Sequence, residues 1–215
     1  VLYRVAELSE GRRAQFIDEV AAGDGAGPAA AAAQVDAAID RWVYYAGWSD
    51  KIAQIAGSAN PVAGPYFNFS VPEPTGVVAV LAPQHSPLLG LVSVLAPVIV
   101  TGNTAVVVAS QRLPLPAVTL TEVLATSDLP GGVVNLLTGR TAELAPVLAA
   151  HADVNAIDLC GADPHLAADY ETAAADNLKR VLRAPHQPQD WTHQPDPHRI
   201  LAFTETKTVW HPTGM

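Results

Sequence analysis

The sequence predicts an α/β fold in which a parallel sheet carries helices on both faces, with N-terminal helices before it and a small β arm attached. Two patterns predict the sheet. Four apolar runs, 76–82, 104–109, 132–137 and 154–159, read as strands, and the stretches between them, 87–102, 115–127 and 141–151, are each long enough for a helical crossover. The runs are nearly continuous in small and branched apolar residues, as strands buried on both sides are. A third pattern predicts the arm. Tyr66-Phe67-Asn68-Phe69-Ser70-Val71 alternates apolar with polar side chains, and so does 199–210 near the end of the chain.

Along the chain, Leu2, Val5, Leu8, Phe16, Ile17 and Val20 recur at helical spacing and predict an amphipathic helix over 1–22. Gly23-Asp24-Gly25-Ala26-Gly27-Pro28 breaks it. From Ala29 to Gly57 the pattern is helical again, with Val35, Ile39, Trp42, Val43, Ala46, Ile52 and Ile55 on one broad face, in an Ala-rich context that favours helix. A further helix over 164–178 follows the fourth strand. From Ala184 to Pro197 the composition turns to Pro, His, Gln and Asp, which reads as a solvated linker before the last strand.

The chain has 215 residues, 49% of them apolar, which suits one domain or one domain with a small appendage. With 15% charged residues and a net charge of −9, nucleic acid and anionic membrane surfaces are poor partners, because both reward clustered Lys and Arg. Here the basic residues are scattered, with pairs only at Arg12-Arg13 and Lys179-Arg180. One cysteine, Cys160, leaves no internal disulfide and no multi-cysteine metal site, so a reducing cytoplasm is the expected location. The first residues lack the basic start and apolar core of a leader, and 87–102 is too short to span a bilayer. The chain opens inside a helical pattern without an initiating Met, as a partial or processed product would.

Several blocks resemble the aldehyde dehydrogenase family. Pro74-Thr75-Gly76-Val77-Val78-Ala79-Val80-Leu81-Ala82-Pro83 followed by Pro87-Leu88 resembles the segment that opens that family's cofactor domain. Thr101-Gly102-Asn103-Thr104-Ala105-Val106-Val107-Val108 is similar to its second strand, and Leu129-Pro130-Gly131-Gly132-Val133-Val134-Asn135 to its third. Phe203-Thr204-Glu205-Thr206-Lys207-Thr208-Val209 resembles the family's C-terminal strand. The resemblance implies a Rossmann-like sheet and divides the chain into an N-terminal helical part, 1–57, and an oligomerisation hairpin region, 58–75. A Rossmann-like degenerate NAD-binding domain, 76–183, follows, then a linker in place of the catalytic domain, 184–198, and a C-terminal oligomerisation strand, 199–215. It is closest to the degenerate second copy of two-copy members, where Trp42-Val43-Tyr44-Tyr45-Ala46-Gly47-Trp48-Ser49-Asp50-Lys51 looks like the corresponding helix.

Family chemistry needs a thiolate that attacks the aldehyde, because only a covalent hemithioacetal can lose hydride to the nicotinamide. Cys160 is the sole thiol and stands at a strand end, where a lone Cys is ordinarily a packing residue. By resemblance Leu178-Lys179-Arg180-Val181 leads towards the turn that carries the general base, and the ungapped continuation puts Ala184 at the glutamate position. His85 falls where the family places its oxyanion-donating asparagine. Next to Ser86 it also invites a hydrolase reading, for which adjacency alone shows no geometry. The adenosine-ribose positions fall on Val108 and Gln111, so the charged pair is lost.

In Gly161-Ala162-Asp163-Pro164-His165-Leu166 the first glycine of the pyrophosphate-binding helix start survives, Ala162 stands at the serine position and Leu166 at the second glycine. Asp163 with Pro164 makes a self-capped helix start whose carboxylate competes with a phosphate. His186, His193 and His198 lack the fixed spacing of metal ligands, so no metal site is expected. The resemblance thus implies a non-catalytic subunit, a pseudoenzyme with no cofactor expected and only weak NAD binding. Its arm would associate with a catalytic aldehyde dehydrogenase or with itself. The alternatives are an NAD-dependent dehydrogenase completed by another chain or a missing segment, and an NAD(H)-sensing module.

Overall fold

A computed structural model describes residues 1–24, 27–184 and 189–214. Part of the expected break at 23–28, and the readings that touch 185–188, His186 among them, lie outside the described residues. Four helices open the chain: α1 (Leu2–Gly11), α2 (Arg13–Asp24), α3 (Pro28–Ala46) and α4 (Ile52–Ala56). The single helix expected over 1–22 is therefore two, because Arg12 leaves helical geometry and its N–H turns back to the Ser9 carbonyl. α3 begins at Gly27-Pro28, where a proline fits the first turn, and stops at Gly47 before the expected end at 57. Val5, Phe16, Val20, Val35, Trp42, Ala46 and Ile52 are buried as the period requires, whereas Val43 and Ile55, expected on the same face, are exposed, and Tyr45 is buried instead.

Next come two short strands, β1 (Ser58–Asn60) and β2 (Tyr66–Pro74). The α/β repeat follows: β3 (Val77–Leu81), α5 (Leu89–Val100), β4 (Thr104–Val108), α6 (Leu115–Ala125), β5 (Val134–Leu137), α7 (Thr141–Ala150), β6 (Ala156–Asp158), α8 (Ala167–Ala175) and β7 (Arg180–Leu182). The sheet order is β5-β4-β3-β6-β7 and every neighbouring pair is parallel. The chain starts in the middle of this sheet, runs outward to β5, and returns to the other side of β3 for β6. Connections therefore leave β3 and β6 in opposite directions, and a crevice opens beyond their carboxyl ends.

β3 shows why the sheet is covered twice. Val78 and Val80 belong to the core shared with α1–α3 and α5, while Ala79 and Leu81 belong to the core under α7 and α8. α5 is buried from Leu89 to Ile99 because it lies between the sheet and α3. Among the described residues no helix is long and apolar enough to cross a membrane.

The chain ends in α9 (His198–Leu201) and β8 (Thr204–Pro212). The strand expected over 199–210 is thus partly helix. Asp196 accepts from the His198 N–H (2.8 Å) and Pro197 precedes the first turn, a start signal that outweighs the alternation. Ile200 and Phe203 are buried against the core. β8 pairs antiparallel with β2 from Tyr66↔Pro212 to Pro74↔Thr204, and β1 lies on the other side of β2. Asn103 ties this arm to the sheet. Its side chain accepts from the Gly76 N–H (2.8 Å) and donates to the Phe203 carbonyl (2.9 Å). Gly76 adopts φ +131° there, and a side chain on it would strike Asn155.

Candidate functional site

A cavity of about 650 Å³ opens at the carboxyl end of the sheet. Its walls come from the turns after β3 (Pro83 to Ser86), after β4 (Gln111, Arg112) and after β6 (Cys160 to His165), with Thr141, Tyr170 and Ala184 beside them. This is the position that strand order assigns to a ligand in an open α/β sheet. His85, Gln111, Cys160, Gly161, Ala162, Asp163 and Ala184, far apart in sequence, all line it. Val108 does not: it is wholly buried and packs with Leu81 and Ile157 in the core under α7 and α8.

Several polar groups around this cavity have internal partners, while the Thr141 and Tyr170 hydroxyls are buried without one among the described residues. The Gln111 side-chain oxygen accepts from the Thr141 N–H (3.0 Å) and so caps α7 from the neighbouring loop. The Gln84 side-chain oxygen accepts from the Gln111 N–H (3.1 Å), which ties the turns after β3 and β4 together. The Ser86 hydroxyl oxygen accepts from the Gly90 N–H (2.8 Å) in the first turn of α5. His85 is exposed, with an Arg112 nitrogen 3.2 and 3.3 Å from its two ring nitrogens. The hydrolase reading of His85 and Ser86 therefore fails: the hydroxyl is a helix cap and the imidazole faces a guanidinium.

At the turn after β6, Asp163 accepts from the His165 N–H (2.9 Å), and its carbonyl accepts from Leu166 and Ala167. The expected N-cap at Asp163 is not formed: α8 starts at Ala167 with Leu166 as its cap residue and no side-chain cap, so the Asp163 carboxylate closes only the turn before the helix. Gly161 is glycine for steric reasons. A side chain there would overlap the Ala82 carbonyl, because the backbone after β6 crosses the end of β3. Ala184, just past β7, presents a methyl group and no acid or base.

Cys160 lies beside a buried ion pair. Its N–H donates to Asp158 (2.9 Å), whose other carboxylate oxygen is 2.7 Å from an Arg199 nitrogen. Asp158 is fully buried, and burial raises its carboxyl above the ordinary range against the pull of Arg199. Burial, reinforced by the Asp158 charge, pushes the Cys160 thiol up to about 12. A thiol so placed is protonated and a poor nucleophile.

In the stretch expected as a solvated linker, 184–198, residues 189, 190, 192–194 and 196–198 are exposed as expected, but Trp191 is buried and pins the segment to the core. Trp191 is only 9% exposed and closes one side of the cavity, with the Arg199 guanidinium 5.3 Å from its ring centre. Arg41 of α3 donates to the carbonyls of Trp191 (2.7 Å) and His193 (2.9 Å), and Tyr44 donates to that of Pro195 (3.2 Å). This strap stays largely exposed and is anchored because one aromatic ring and two arginines give it something to bury. Asp158 and Trp191 were missed in the sequence, although each carries a signal, the first as an acid inside an apolar strand, the second as the large apolar residue of a polar stretch. Their partners carry none. His193 and His198 are exposed, His193 within 3.1 Å of Asp190. Among the described residues no three potential metal ligands converge.

The family model described as "Aldehyde dehydrogenase family" matches residues 1–183. The chain is similar to retinal dehydrogenase 2 of Mus musculus, 36% identical over 138 residues, which are 64% of this chain and 26% of that protein. It is similar to "Aldehyde dehydrogenase, cytosolic 1" of Elephantulus edwardii, 30% identical over 184 residues, covering 84% of this chain and 36% of that one. Among solved structures, the NAD+ complex of an aldehyde dehydrogenase from Bacillus cereus superposes with a TM-score of 0.77 at 26% identity, covering 84% of this chain and 36% of that one. The chain thus spans between about a quarter and about a third of the length of these relatives.

Proposed function

The chain belongs to the aldehyde dehydrogenase family, and from that premise we propose that it is a non-catalytic, structural or regulatory member that assembles with a catalytic aldehyde dehydrogenase or with itself. One observation carries this reading: the position past β7 where the family's general base would stand is the methyl group of Ala184, while the only thiol is held protonated beside Asp158. Aldehyde oxidation through a covalent intermediate needs a thiolate and a base placed to take protons; the cavity's one thiol is held protonated, and no acid or base stands at the Ala184 position.

The dinucleotide of the family also fits these walls poorly. Val108 is in the core, the Gln111 oxygen is occupied by the Thr141 N–H, and the Asp163 carboxylate takes the His165 amide and sets a negative charge in the turn where a phosphate would rest. Weak NAD binding belongs to the same proposal, and no step is derived through the cofactor. The arm supports a role in assembly. Among the described residues β8 is paired on one side only, with β2, and Tyr66 and Phe67 of β2 and Trp210 of β8 stand exposed on the arm. A cytoplasmic location is inferred from a relative described as cytosolic.

The test is the native mass of the complex isolated from its own host, with every chain identified and aldehyde-dependent NAD reduction assayed on the purified chain. Co-purification with a full-length aldehyde dehydrogenase, or a homo-oligomer without dehydrogenase activity, fits the reading. Turnover by the isolated chain sinks it.

A further inference from the structure

A second cavity, of about 260 Å³, lies between the strap and α3, bordered by Arg41, Tyr45, Ser93, Trp191 and Arg199. Arg41 is 7% exposed. Its hydrogen bonds go to the Ser93 hydroxyl (2.7 Å) and to the Trp191 and His193 carbonyls. None of these acceptors carries a negative charge, and burial with no carboxylate against it pulls the pKa of Arg41 down. Buried charges are ordinarily paired, because an unpaired ion has lost its hydration without replacement. A guanidinium also has more N–H donors than these three acceptors use.

The other charges around the cavity do not supply the missing partner. Arg199 is matched by Asp158. Asp190 is exposed, accepts from Thr192 and lies beside His193, and Asp196, also exposed, accepts from the His198 N–H. One turn along α3 from Arg41, the Tyr45 hydroxyl is buried with no hydrogen-bond partner among the described residues. Two donor groups on one helix face, one of them an unmatched cation, border a cavity wide enough for a small ion.

We propose that this cavity binds a small monovalent anion between the Arg41 guanidinium and the Tyr45 hydroxyl, and that the bound anion locks the strap onto the core. A single charge is specified because a single positive charge is unmatched. The strap closes over Arg41 and removes it from water, so an anion that stabilises the buried cation also favours the docked strap.

Crystals of the full chain grown in bromide test the site directly. An anomalous peak within hydrogen-bonding reach of Arg41 and Tyr45 is expected; water alone there overturns the proposal. In solution, chloride replacing gluconate at constant ionic strength should raise the Tm saturably. The rise should be smaller in Tyr45→Phe and absent in Arg41→Gln. An equal response in the wild type and both variants means an adventitious ion only and overturns it. If Arg41→Gln does not fold, an undiminished response in Tyr45→Phe together with no bromide at the site has the same force.

Discussion

Where β3 runs through the middle of the sheet, Val78, Ala79, Val80 and Leu81 are all out of water, and nearly every neighbour is apolar. Where the strap from 189 to 199 crosses the same molecule, it is held by Arg41 on two carbonyls, Tyr44 on a third, and Arg199 on Asp158, around one buried ring. The first region depends on volume and apolar area, which tolerate shape-conserving exchange. The second depends on a few desolvated polar groups, each of which loses most of its value when its partner goes. The two regions should therefore fail differently.

The largest expected effect is on the strap. Arg199→Ala leaves Asp158 buried without its partner and should destabilise the chain by about 3–5 kcal/mol, read by urea unfolding. The double variant Asp158→Asn/Arg199→Met should lose less than Arg199→Ala, since it removes both charges. If Arg199→Ala costs under about 1 kcal/mol, as at an exposed pair, the contrast between the two regions collapses. In the sheet, Leu81→Ala should cost about 2–5 kcal/mol through the cavity it leaves, whereas Leu81→Met should cost less than about 1.5 kcal/mol.

Asn103→Ala tests the joint between the arm and the sheet. It removes the acceptor of the Gly76 N–H and the donor to the Phe203 carbonyl, and should cost about 1–3 kcal/mol. Asn103→Asp should recover part of the loss, because it restores the acceptor alone; no difference between the two variants would place the effect elsewhere.

Near neutral pH the smallest effect on stability concerns Cys160, whose contribution changes only in alkali. Its folded pKa, raised from 9.0 to about 12, leaves a thiolate fraction on the order of 10³ lower than in the unfolded chain, so alkylation near pH 8 should be slow until the protein unfolds. A raised folded pKa stabilises below the unfolded value and is lost as pH rises through the folded one. Stability should accordingly decline from pH 9.0 towards about 12, and Cys160→Ser should remove that contribution. Fast alkylation of the folded chain at pH 8 would contradict the burial argument.

The sheet was legible because its signals are local. Each strand is a short apolar run, each crossover has a helix's length, and Pro or Gly marks the turns between them. β7 was legible only through resemblance, since Arg180–Leu182 is too short to show a period. β1 and the helix α9 were not read as such, the latter because Ile200, Phe203 and the alternation after them serve helix and strand patterns equally. Around the cavity, the turns after β3, β4 and β6 came together as strand order requires, yet their roles differ from those the sequence suggested. Gln111 caps a helix, Ser86 caps another, and Val108 is core.

By itself the sequence determined the α/β class and the residues that fill both faces of the sheet, because apolar periodicity is visible one residue at a time. Only the tertiary structure decided that the Pro- and His-rich stretch docks. Arg41 meets Trp191, and Asp158 meets Arg199, across 150 and 41 residues of chain. Such pairings have no period. They arise where the folded core brings a desolvated charge within reach of a segment able to satisfy it.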